Sequence, residues 1–126
     1  MNRLVAGIFL VVFLVAIDYV YLTSRYKEIA HQIAAVQRVS LQFRAEGAAV
    51  VYLALAILLS WFALGPGNTF ATSVKRAFGL GVLSYAIWHG TNYAIFKKWS
   101  LWFAITDTLW GGLLSAIAVA LTTRFV

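Results

Sequence analysis

The sequence predicts an all-α membrane protein: four transmembrane helices, with an amphipathic interfacial helix between the first and the second. Three observations carry this expectation. Of 126 residues, 63% are hydrophobic and 11% charged, against roughly 45–50% and 25% in a soluble domain. Four apolar runs, residues 4–23, 48–64, 78–96 and 99–122, reach the about 17–25 residues that cross a hydrocarbon core of about 30 Å. Ten Lys and Arg against four Asp and Glu give a formal charge of +6. The cations gather at the ends of the runs, as at membrane flanks, and not in a stripe that would bind nucleic acid. One integral membrane domain, residues 1–126, accounts for the whole chain.

Each run is expected to be helical because lipid offers no partner to a free backbone group, and none alternates as a β-barrel strand would. Residues 4–23 follow an Asn-Arg start like a secretory signal. They are too long for one, contain Asp18 and lack a small-x-small cleavage site, so they are expected to be retained. Between the first two spans, residues 24–45 place Tyr26, Ile29, Ile33, Val36 and Phe43 near helical spacing, with Lys27, Glu28, His31, Gln32 and Arg38 on other faces. That pattern predicts a helix lying at the interface or extending the first span.

Gly65-Pro66-Gly67-Asn68 ends the second span in a sharp turn, and Lys97-Lys98 separates the last two spans so briefly that they form an antiparallel hairpin. Gly112, Ala116 and Ala120 stand at four-residue spacing suited to close helix packing. With no cysteine, disulfides, thiolate metal sites and thiol chemistry are excluded. Four spans put both termini on one side with Arg3, Lys75, Arg76 and Arg124, and leave six cations on the other. The expectation is therefore a multi-pass protein of the plasma (inner) membrane with both termini outside.

Two of the four acids, Asp18 and Asp107, lie inside apolar runs. At about 1.5 Å per residue, Asp18 stands roughly 7 Å from the end of its span, and Asp107 roughly 12 Å into the last. Tyr85, His89 and Asn92 fall in the same half of the third span, and Trp110 lies one turn beyond Asp107. Asp18, Tyr85, His89, Asn92, Asp107 and Trp110 are the expected ligand-binding residues. Intramembrane ionisable groups usually mark a site, though Asp18 is also placed to pair with Arg25. A carboxylate–histidine group could move a proton. Three residues on three helices have no diagnostic metal spacing, so no metal site is expected. Trp61, Trp99 and Trp102 read as belt anchors and Trp110 as a pocket wall. Thr91 and Thr106 read as interhelical hydrogen bonds.

These residues resemble the small membrane proteins of domain-of-unknown-function family 2177, along nearly the whole chain. The pattern is an acid, an aromatic and Leu late in the first span, here Asp18, Tyr21 and Leu22. It continues through Tyr85, Thr91-Asn92, Lys97-Lys98-Trp99 and the run from Asp107 to Trp110-Gly111. His89 stands where the family usually carries an aspartate, and Ser100 where proline is common. The resemblance implies a four-helix membrane protein and leaves the activity open. Three functions fit: binding, or proton-coupled transport, of a small solute, ion or lipid headgroup; lipid or quinone chemistry by an embedded enzyme; an accessory subunit of a larger complex. The chain carries no standard enzyme signature, names no cofactor and identifies no catalytic residue. Its expected partners are membrane lipids, and further copies of itself or a larger membrane complex; nucleic acid is not among them.

Overall fold

The computed structural model describes residues 2–126, and among them every regular element is helical: α1 (Arg3–Ser24), α2 (Tyr26–Gln37), α3 (Ala45–Phe62), α4 (Phe70–Ile95) and α5 (Leu101–Phe125). Side chains set the starts. Asn2 accepts from the backbone of Leu4 and Val5, Thr69 from Thr72, and Ser100 from Phe103, so each fills an orphan donor of a first turn. The Thr69 cap starts α4 eight residues before the expected run at 78, so Lys75 and Arg76 lie within the helix. The fourth expected run instead starts late, because residues 96–100 form the turn.

The amphipathic helix is shorter than the expected 24–45. Arg25 (φ −112°, ψ 15°) breaks the chain from α1, and Arg38, in the left-handed region at φ 63°, ends α2. The face expected to meet lipid is turned inward: Ile29, Ile33 and Val36 pack on buried Trp99, Phe103 and Ala104. Gln32 fixes the docking, donating to the Lys98 carbonyl and accepting from the Ser100 backbone N–H, both at 2.9 Å. Tyr26 and Phe43 stay exposed.

The four long helices run alternately up and down. One cavity is lined by Arg3, Leu64, Phe70 and Arg124, which brings one end of each helix together; hydrogen bonds described below join the opposite half. Gly67 supplies the positive φ (80°) that the turn before α4 requires. The α4–α5 hairpin has the most extensive contact, made close by glycine. A Cβ on Gly81 would land on the Gly111 carbonyl, and one on Gly111 would land in the Tyr85 ring. The expected small-residue stripe is therefore displaced. Gly112 is buried under Val82 and Phe78, but Ala116 and Ala120 are half-buried while Gly111, Ser115 and Ala118 fill the seam.

The apolar core, built on Leu10, Leu14, Leu59, Leu114 and Val119, lies in the half away from α2. Three helices, α1, α3 and α5, are long and apolar enough to cross a membrane. In α4, Ser73, Gly81 and His89 are buried and Leu83, Ile87 and Ile95 face outward, while Lys75 and Arg76 near its start are exposed.

Candidate functional site

Two buried carboxylates anchor a polar network across all four long helices. Asp107 on α5 accepts the Tyr21 hydroxyl of α1 at 2.9 Å through Oδ1, and its Oδ2 lies 2.5 Å from His89 Nε2 of α4. Asp18 on α1 accepts the Trp110 indole N–H of α5 at 2.9 Å and the Tyr52 hydroxyl of α3 at 2.5 Å. Between the two acids the rings of Tyr21 and Trp110 stack, with centroids 4.3 Å apart and planes 10° from parallel.

The proton on His89 can be placed. Trp99 Nε1 lies 3.2 Å from His89 Nδ1, and an indole nitrogen can only donate. Nδ1 is therefore the acceptor, Nε2 carries the hydrogen toward Asp107, and the imidazole is neutral. Both ring nitrogens are committed, so neither offers a lone pair to a metal ion or a substrate proton while these bonds hold. Edge contacts from Trp88 and Phe103 close the ring in, and His89 is 2% exposed.

Arg25 sits at the rim. It pairs with Glu28, whose hydrogen bond pushes the guanidinium above its ordinary value, and it donates to the Tyr21 hydroxyl at 3.1 Å and to Thr106 Oγ1 at 3.4 Å. The alternative pairing of Asp18 with Arg25 is not what forms. Thr91 and Thr106 both donate to carbonyls of their own helices; Thr106 also accepts across from Arg25, whereas Thr91 makes no bond to a neighbour among the described residues.

Of the six residues expected at the site, Asp18, His89, Asp107 and Trp110 are joined through the network. Tyr85 lies over Gly111, and its hydroxyl makes no side-chain hydrogen bond among the described residues. Asn92, half-buried a turn beyond His89, is likewise outside the network; its backbone carbonyl caps α4 through Phe96. Sequence reasoning missed Tyr52 and misassigned Trp99. Tyr52 is the one strongly polar side chain in the first half of an otherwise apolar run, which was the signal available. Trp99, expected at the lipid boundary, is 5% exposed and faces His89, because Gln32 folds α2 over it. Trp61 and Trp102 are exposed, as belt residues are.

A cavity of about 510 Å³ adjoins the network, lined by Ala16, Ile17, Val20 and Ser24 and walled by Tyr21 and Trp110. It is open to the outside of the bundle, and neither Asp18 nor Asp107 lines it.

A family model described as "Predicted membrane protein (DUF2177)" matches residues 4–124. No curated protein and no solved structure matches the chain.

Proposed function

We propose, for a chain that belongs to the DUF2177 family of membrane proteins, that Asp18 and Asp107 form an intramembrane site binding a small cationic or amine-bearing solute or headgroup in exchange for protons. One observation carries the reading: every carboxylate oxygen meets an uncharged donor, and none meets a cation. Arg25 touches this network only through the Tyr21 hydroxyl and Thr106 and reaches neither acid, and the Trp99 indole keeps His89 neutral. A charge taken out of water without a partner costs several kcal/mol, so each acid takes up a proton or a cationic ligand. Each carboxylate has about four acceptor positions, of which the protein uses two. The Tyr85 hydroxyl is a further free partner. The cavity beside the Tyr21–Trp110 stack is the approach, and turning those rings would open it to the carboxylates.

The membrane arrangement that goes with this function has α4 crossing beside α1, α3 and α5, with Ser73, Gly81 and His89 turned inward and Leu83, Ile87 and Ile95 toward lipid. The α2 side, with six cations, faces the cytoplasm of a plasma-membrane protein. Four helices enclose little space, so transport would use more than one copy.

The test is proton flux in proteoliposomes with a trapped pH dye, challenged with a panel of amines and monovalent cations. Wild type should move protons when one of these is added, and Asp107→Asn should not. Equal flux in both, or none in wild type with any member, overturns the proposal. A second reading, that the network only specifies helix pairing, is favoured by the single donor on every carboxylate oxygen. It predicts that Asp107→Asn lowers stability without any effect on flux.

A further inference from the structure

At the opposite end of the bundle from the two acids, the chain carries Arg3, Lys75, Arg76 and Arg124 and no carboxylate side chain. All four acids, Asp18, Glu28, Glu46 and Asp107, belong to the α2 half. Arg3 and Arg124 pair with no acid among the described residues. They line a cavity of about 520 Å³, floored by the turn at Gly65–Asn68 and by Ser73 and Thr123. One guanidinium nitrogen of Arg3 donates to the Ser60 carbonyl at 3.1 Å, which holds the side chain across the gap between α1 and α3.

Arg3 also heads a second, apolar groove of about 560 Å³ between those helices, lined by Gly7, Ile8 and Val11 on one side and Leu53, Ile57 and Trp61 on the other. The groove is open beside Gly7, where a Cβ would meet nothing within 4 Å. Trp61 is exposed at the level of Arg3, where an aromatic ring marks the boundary between headgroups and hydrocarbon.

We infer that this end of the protein is a binding site for an anionic phospholipid, its phosphate in the cavity between Arg3 and Arg124 and one acyl chain in the groove along Gly7. Charge complementarity and continuity single out this occupant. The cationic cavity fits a phosphate, the apolar groove fits a chain, and Arg3 belongs to both. The inference does not depend on the acidic network.

The test is retention of phosphatidylglycerol against phosphatidylcholine of the same acyl chains, read by native mass spectrometry of the full chain, with inorganic phosphate added in a parallel arm. Phosphatidylglycerol should be retained in preference, with inorganic phosphate failing to displace it. A cation near a membrane surface contributes about fivefold in affinity for anionic lipid, so Arg3→Gln and Arg124→Gln should each weaken retention by about that factor. Gly7→Phe should weaken it comparably with a thermal melt no lower than that of wild type, since it removes a helix glycine and its side chain enters the groove. Equal retention of both lipids overturns the inference. So does indifference to all three substitutions. Displacement by inorganic phosphate together with a silent Gly7→Phe overturns it in favour of a free-anion site.

Discussion

The neutrality of His89 rests on one indole. Trp99 spends its only donor on Nδ1, and without it Nδ1 is free to carry a hydrogen as well, while Nε2–H stays on Asp107. Trp99→Phe keeps the ring and removes the donor, so it should cost about 1 kcal/mol. It should also let the Nδ1–H form appear in the nitrogen NMR shifts of His89; a variant with unchanged shifts would refute the assignment. Tyr52→Phe acts on the other acid. It strips Asp18 Oδ2 of its donor and should destabilise by about 1–3 kcal/mol, measured by thermal unfolding in detergent, whereas Tyr19→Phe, on an exposed ring, should have no effect. The acids and His89 were legible because such residues are conspicuous inside apolar runs. Their donors were less so, since Tyr and Trp occur at many membrane positions for other reasons.

Helix number and order were readable from run length and turn chemistry, as the Gly65–Asn68 turn and the 96–100 hairpin illustrate. The direction in which α2 faces was not. An apolar stripe fits a lipid surface and the back of a hairpin equally well, and the deciding contact is between Gln32 and a segment 66–68 residues away. Gln32→Leu preserves side-chain bulk but removes both bonds, so amide exchange across Tyr26–Gln37 should rise while α4 and α5 remain protected. Unchanged exchange would mean that the apolar contacts suffice. Glycines along α4 separate two effects in the same way. Gly90 is exposed and a Cβ there meets nothing, so Gly90→Ala should stabilise the helix by about 0.5–1 kcal/mol. Gly81→Ala would press on the Gly111 backbone and Ser115, and should cost about 1–3 kcal/mol through overpacking. Thermal melts of opposite sign are the expected result.

At the scale of the whole molecule, α1 and α5 hold each other reciprocally. Each carries an acid followed three residues later by an aromatic donor, Asp18 with Tyr21 and Asp107 with Trp110. Because the helices are antiparallel, each acid is served by the other helix's donor: Tyr21 reaches Asp107 and Trp110 reaches Asp18. The repeated spacing was visible in the sequence, but the exchange of partners needs the antiparallel register. The two donors also stack on each other, so displacing one moves the other. This predicts that Asp18→Asn and Asp107→Asn are not independent. Each single substitution loosens the ring that its acid holds, and the second then removes a contact already weakened. In a double-mutant cycle on unfolding free energy, the pair should depart from additivity by at least about 0.5 kcal/mol, with the double variant less destabilised than the sum. The same cycle with Tyr21→Leu as background, which removes the stacked ring, should approach additivity. If the acids add within about 0.3 kcal/mol in the wild-type background, the clasp is two separate hydrogen-bonded sites that happen to be neighbours.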